Sequence, residues 1–238
     1  MICPSCKKPY YFINPLAPSN CCCRHCAAEG SFKQPSYENY HQDLYLSTPY
    51  TRNVRTDPQM RRTLKALNIL PSDVVVELGC GVGDYTKEIA QRTRCVTGVD
   101  LNVDGARKRY SDVKFLTADN NKPLPFPDNG ADVILSVNTI EHLQSPDNFL
   151  REISRILKPQ GRVALTTANL DFLLHDRFFD KTHLHEWTLA EFRMLVARFF
   201  VPAFIEKSSS MFKYHPLNKL TTLVLKPDLL FVGIKPHD

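Results

Sequence analysis

The sequence lacks any run of about 18 or more apolar residues, so no membrane-spanning helix is expected. No apolar stretch follows the basic residues of Met1-Ile2-Cys3-Pro4-Ser5-Cys6-Lys7-Lys8; that start does not have the pattern of a secretion signal, and a cytoplasmic protein is the expectation. Internal repeats and low-complexity segments are absent. So is a strong charge excess: the formal net charge is +5, and residues 1–33 supply +3 of it, from Lys7, Lys8, Arg24 and Lys33 against Glu29. A chain built to live on nucleic acid carries more, although a local basic patch stays open. Two phosphate-binding patterns are missing as well, the dinucleotide fingerprint G-x-G-x-x-G and the P-loop ending G-K-[ST]. The length, 238 residues, suits one full domain with an appendage.

Cysteine, by contrast, is crowded at one end. Six of the eight cysteines fall in the first 26 residues, and Cys3-x-x-Cys6 with Cys23-x-x-Cys26 makes a C-x2-C-x16-C-x2-C arrangement. Each C-x-x-C turns through a knuckle that can aim both sulfurs at one tetrahedral ion, so a structural Zn2+ held by Cys3, Cys6, Cys23 and Cys26 is expected. Disulfides are the rival reading, and a reducing compartment opposes them. Cys21 and Cys22 are spare thiols that could replace Cys23. Four cysteine ligands leave no open position for catalysis, so this is a zinc-ribbon-like module over residues 1–33 whose metal supplies folding energy.

Residues 34–70 form a linker and first helix. Tyr37, Tyr40, Tyr45 and Tyr50 recur among polar residues, followed by Arg52, Arg55, Arg61 and Arg62. A segment packed over the domain edge and a lid over a ligand are both open readings. Asp57-Pro58 has the form of an N-cap with proline at N1. Met60, Leu64 and Leu67 then share a helical face, and Pro71 is expected to close that helix.

The third division, residues 71–238, is organised around Val74-Val75-Val76-Glu77-Leu78-Gly79-Cys80-Gly81-Val82-Gly83-Asp84. An unbroken β-branched run suits a strand buried on both faces, as parallel sheets require. Glycine permits positive φ and close backbone approach to a ligand. Strand, glycine turn and helix form the unit that holds nucleotide-like cofactors at the edge of an α/β sheet. The third fingerprint position here is Asp84, whose carboxylate would repel a pyrophosphate. Cys95 to Val99, ending in Asp100, is the next strand, and an acid at its tip can accept from both ribose hydroxyls. Leu101 beside it can pack on adenine. Val113 to Thr117 is followed by Ala118-Asp119-Asn120, and Ala131 to Val137 by Asn138-Thr139-Ile140-Glu141-His142-Leu143.

An acid two residues before G-x-G-x-G resembles motif I of the class I S-adenosylmethionine-dependent methyltransferases. The Pro-Phe loop from Leu124, the E-H-L triplet at 141–143 and the L-K-P-x-G turn at 157–161 resemble small type-11-like members of that family, so the likeness runs from about Asp73 to Thr167. The resemblance implies a Rossmann-like α/β fold: seven strands, mostly parallel with the last antiparallel, and helices on both faces. It implies S-adenosylmethionine as donor. Glu77, Gly79, Gly81 and Gly83 would then frame its methionine end, Asp100 and Leu101 its ribose and adenine, Asp119 and Asn120 the adenine edge, and Asn138 the methyl. An Asn/Asp-Pro-Pro-aromatic motif after the fourth strand is absent, which argues against planar amino acceptors.

Asn169 to Trp187 carries His175, Asp176, Asp180, His183, His185, Glu186 and the single tryptophan. It follows the fifth strand, on the edge where α/β ligands bind. His183 and His142 are the candidate catalytic bases; ordinary packing and a second metal site using Asp180 and the histidines are the competing readings. His183-x-His185 alternates, so an extended strand would point both the same way. Thr188 begins a further helix, with Leu189, Phe192, Leu195 and Val196 inward. A small-molecule acceptor is the leading expectation. RNA or protein gripped by the zinc module, and an inactive regulatory partner of the same fold, are the alternatives.

Overall fold

The computed structural model describes residues 57–172, 183–208 and 228–237. The four predicted zinc ligands, the tyrosine-rich linker, His175, Asp176, Asp180 and the segment 209–227 lie outside them.

Helix α1 (Pro58–Leu67) begins as its cap predicts: the Asp57 carboxylate accepts from the amides of Gln59 and Met60. It ends earlier than Pro71 suggests. Asn68 adopts the left-handed conformation at φ 45° and its N–H closes back on Leu64, so the stop is an asparagine cap. Strand β1 (Val75–Leu78) follows, then α2 (Asp84–Ile89), β2 (Val96–Asp100), α3 (Asp104–Arg109) and β3 (Lys114–Thr117). Strand β4 (Ala131–Val137) leads through a 3-10 turn (Ile140–His142) into α4 (Pro146–Ile156) and β5 (Leu157–Ala168). Helix α5 (Leu189–Val196) and strands β6 (Val201–Ser208) and β7 (Asp228–Ile234) complete the described elements.

The strand order is β3-β2-β1-β4-β5-β7-β6. β1 to β5 pair in parallel, and β7 inserts antiparallel between β5 and β6. β1 is central and buried at all four positions. Its side chains alternate between two cores. Val76 and Leu78 join Ile134, Val163, Phe149, Ile153 and Phe192 on one face. Val75 joins Val133, Leu135, Met60, Leu64, Leu67 and Ile89 on the other. α1 and α2 therefore cover one face and α4 and α5 the other, a Rossmann-like α/β arrangement. The order reverses at β1 and β4, which leaves a crevice beyond their carboxyl ends. Among the described residues no helix is long and apolar enough to cross a membrane.

The expected turn at Lys158–Gly161 is instead the irregular start of β5. Pairing with β4 slips between Ala131 and Val133, and Gln160 takes φ 62°. The Lys235 carbonyl accepts from the Gln160 N–H at 3.1 Å while the Lys235 N–H donates to the Gly161 carbonyl at 2.9 Å. This clasp from the far end of the chain holds the bulge within the strand.

Candidate functional site

Three glycines make the corner after β1. Gly79, Gly81 and Gly83 all have positive φ, at 79°, 52° and 82°. At Gly79 the requirement is steric as well: a Cβ there would stand 2.0 Å from Thr139 Oγ1. The end of β4 thus packs directly on the corner. At Gly81 a Cβ would meet nothing within 4 Å among the described residues, which leave this turn facing open space. The Gly79 and Cys80 amides both donate to the Val99 carbonyl, which ties the corner to β2, and the Gly81 N–H donates to Asp100 Oδ2 at 2.8 Å.

Asp100 therefore stands at the corner, at the tip of β2, with Leu101 exposed beside it. Asn120 is buried just beyond β3, and its side-chain carbonyl has no partner among the described residues. A buried amide oxygen of this kind is costly unless a ligand or water meets it. Asp119 is engaged locally: it accepts from the Asn121 amide at 2.9 Å and lies 3.5 Å from Lys122 Nζ. Asn138, with φ 48°, is held by Thr166, whose hydroxyl donates to Asn138 Oδ1 at 2.7 Å.

Glu77 is fully buried beneath the corner, bonded to the Thr86 hydroxyl. Burial pushes its carboxyl up to about 8, opposed by the Thr86 hydrogen bond and reinforced by the charges of Asp100 and Asp84. Burial also pushes the Cys80 thiol up, so this cysteine is an inert part of the wall.

On the other side of Asn138 lies a second group. Glu141, buried at 1 % exposure, accepts from the Thr167 hydroxyl at 3.0 Å through its carboxylate. Its main-chain carbonyl accepts from the Leu184 and His185 amides at 2.8 and 3.1 Å. Those two bonds bring the segment after 183 onto the turn after β4. His183 and His142 consequently meet edge to face, with ring centroids 4.9 Å apart. His183 Nδ1 lies 2.6 Å from Glu186 Oε1. Burial pushes the Glu141 carboxyl up to about 7; His183 opposes that shift and Asp228 reinforces it. His185 does not share the direction of His183. Residues 183–186 form no strand, and His185 stacks on Trp187 with centroids 5.7 Å apart. Sequence reasoning named both histidines of the cluster but gave Glu141, Glu186 and Thr167 no role. The E-H-L triplet was the available signal.

The residues present fit an adenosyl sulfonium. The corner opens at Gly81 and carries acids rather than the lysine a phosphate would call for, and the orphaned Asn120 oxygen can accept from an adenine amino group.

Residues 76–165 match the family profile described as "Methyltransferase domain". Among known proteins, the chain is 32% identical over 111 residues to a demethylmenaquinone methyltransferase of Tropheryma whipplei, covering 44% of this chain and 46% of that protein. It is 37% identical over 101 residues to the fatty-acid O-methyltransferase of Mycolicibacterium smegmatis, covering 40% and 36%. It is 28% identical over 153 residues to the mitochondrial ubiquinone biosynthesis O-methyltransferase of Arabidopsis thaliana, covering 60% and 45%. The chain thus spans less than half the length of these relatives. Among solved structures, a chain from the complex between the Haloferax volcanii Trm112 methyltransferase activator and a methyltransferase superposes with TM-score 0.65 at 21% identity, covering 90% of this chain and 97% of that one. An S-adenosylmethionine-dependent methyltransferase from Mesorhizobium loti gives 0.65 at 16% identity, covering 77% and 100%. These structures share the fold. Residues 76–165 thus match the methyltransferase-domain profile, and the seven-stranded sheet has the fold of the solved methyltransferase structures.

Proposed function

We propose that the protein is an S-adenosylmethionine-dependent methyltransferase whose acceptor is a small molecule presenting an oxygen. One observation carries this reading: the open glycine corner beside Asp100 and the Glu141–His142–His183 group flank the same Asn138–Thr139 turn at the carboxyl edge of the sheet. A donor and an acceptor placed on either side of that turn would meet near Asn138. The printed names of the fatty-acid and ubiquinone relatives, both O-methyltransferases, agree with an oxygen acceptor, and that of a sterol 24-C-methyltransferase relative with carbon; the pair of histidines beside Glu141, able to take up a hydroxyl proton, favours oxygen.

The donor supplies a methyl group already activated on a sulfonium. The protein's own work is then positioning and water exclusion. Glu77, Gly79, Gly81 and Gly83 would frame the methionine end, Asp100 would accept from the ribose hydroxyls, and Leu101 would cover the adenine. Asp119 and Asn120 would meet the adenine edge, with Asn120 the better placed because its buried oxygen lacks a partner among the described residues. Asn138, fixed by Thr166, would border the methyl. His142 and His183 would act on the acceptor oxygen, whose proton must be released before or during transfer. The cysteine module at 1–33 would hold one structural Zn2+ through Cys3, Cys6, Cys23 and Cys26, in a cytoplasm that keeps thiols reduced.

Isothermal titration with S-adenosylmethionine tests the reading. Asp100→Ala and Asp100→Asn should each weaken binding by roughly tenfold or more, the loss expected for hydrogen bonds to a charged acceptor. Unchanged affinity in both variants removes the ribose assignment. Failure of the unaltered protein to bind donor favours a regulatory partner of the same fold.

A further inference from the structure

We propose that Glu141, His142 and His183 hold a divalent transition-metal cation that binds the acceptor oxygen. The inference rests on the methyltransferase reading and specifies how its histidines act. One carboxylate oxygen and two imidazole nitrogens lie within 4.8 Å of one another, contributed by the turn after β4 and by the segment before α5. Ligands about 2.1 Å from one ion stand roughly 3–3.5 Å apart. The three groups therefore close on an ion by ring rotations that move each nitrogen by about an ångström.

The donor set selects the class of ion. Two imidazoles with one carboxylate suit manganese, iron, cobalt or zinc, whereas magnesium and calcium prefer oxygen alone. The second layer is in place. His183 Nδ1 faces Glu186 Oε1 at 2.6 Å, a contact in which a proton on Nδ1 makes Nε2 the ligating nitrogen. A carboxylate behind a ligating imidazole both fixes the tautomer and strengthens the ligand. A second carboxyl shares the interior here: Glu141 and Asp228 are both buried. Among the described residues, no lysine or arginine forms an ion pair with Glu141, whose carboxylate meets the Thr167 hydroxyl instead.

The site is also held rigidly. The Glu141 carbonyl anchors Leu184 and His185, and a reciprocal Thr188–Glu191 capping box fixes the start of α5 just beyond. Three protein ligands leave positions open for an acceptor oxygen, and a metal-bound hydroxyl loses its proton at lower pH than a free one. The proton goes to solvent. A lone pair on that oxygen then forms the new O–CH3 bond while the C–S bond breaks and its electron pair stays on sulfur.

The test is titration of the full-length protein with Mn2+, followed by the loss of the free-ion electron paramagnetic resonance signal. Manganese is chosen because thiolates prefer softer ions, which keeps the cysteine module out of the reading. One Mn2+ per chain is expected. His183→Gln and Glu141→Gln should each weaken binding by about tenfold or more. Donor titration on the same samples reports whether each variant is folded. No Mn2+ binding by a protein that binds S-adenosylmethionine overturns the metal site and leaves the methyltransferase reading intact. Binding that survives both substitutions overturns the ligand assignment. Mn2+ bound as expected without donor binding keeps the site and removes the methyltransferase reading.

Discussion

The side chain of Thr139 occupies the volume that a Cβ on Gly79 would need, with Oγ1 2.0 Å from that point. The end of β4 and the corner after β1 are thereby locked in one arrangement. Gly79→Ala should destabilise the protein by about 2–5 kcal/mol, combining a left-handed alanine with overpacking. Thr139→Ala in the Gly79→Ala background should recover the packing share, leaving about 1–2 kcal/mol for the backbone. Urea unfolding of the four proteins separates the two parts. A double variant no more stable than Gly79→Ala would show that Thr139 is not what fills the space.

Glu77 ties stability to pH. Its ordinary value of 4.5 is raised to about 8 in the folded chain, so between these limits the folded state keeps a proton that the unfolded state has released. Stabilisation from this group is complete below 4.5 and is lost as pH rises toward 8. The slope is at most about 1.4 kcal/mol per pH unit for one group. Glu141, raised to about 7, adds the same sign over a narrower range. Glu77→Gln should flatten the dependence and melt higher than the unaltered protein at pH 8. Melting temperatures at pH 5, 6.5 and 8 check this; equal slopes for both proteins would mean that Glu77 ionises freely when folded.

Elements whose cause is local are legible in the sequence itself. Val75 to Leu78, the glycine triplet and Asp100 follow from contiguous residues, because a strand buried on both faces and a positive-φ turn are written in adjacent positions. The Asp57-Pro58 start of α1 and the Thr188 start of α5 are equally local. What escapes depends on distant partners. Lys158-Pro159-Gln160-Gly161 has turn chemistry, yet Lys235 draws it into β5. Pro71 signals a stop, but Asn68 ends the helix first by accepting a left-handed conformation. The meeting of His183 with Glu141 rests on main-chain bonds from Leu184 and His185 across the turn after β4, and nothing in either stretch announces them.

The capping box at the start of α5 bears on the site as well as on the helix. The Thr188 hydroxyl accepts from the Glu191 amide at 3.2 Å, and the Glu191 carboxylate accepts from the Thr188 amide at 3.0 Å. Trp187, immediately before, packs on Phe192 and stacks with His185. Thr188→Ala should cost about 1 kcal/mol. It should also raise hydrogen exchange at Leu184 and His185, whose amides hold the histidine segment to Glu141. Unaltered exchange at those amides would separate the cap from the site.

Arg155 is the rivet of the Pro-Phe loop. From α4 its guanidinium donates to the carbonyls of Phe126 and Leu124 at 2.8 and 3.1 Å, to Asp128 at 2.7 Å, and to both oxygens of Glu152. Glu152 in turn accepts from the Leu124 amide at 2.8 Å. A loop with prolines at 123, 125 and 127 has few amides of its own to donate, so its carbonyls depend on an outside donor. The planar fork supplies several at once. Arg155→Ala should cost about 2–4 kcal/mol, as expected when a hydrogen-bonded charge network loses its centre. Arg155→Lys keeps the charge but not the fork and should recover less than half. Denaturant unfolding gives the magnitudes, and faster exchange of the Leu124 amide localises the change. A lysine variant as stable as the unaltered protein would mean that charge, not the geometry of the guanidinium fork, holds the loop against α4.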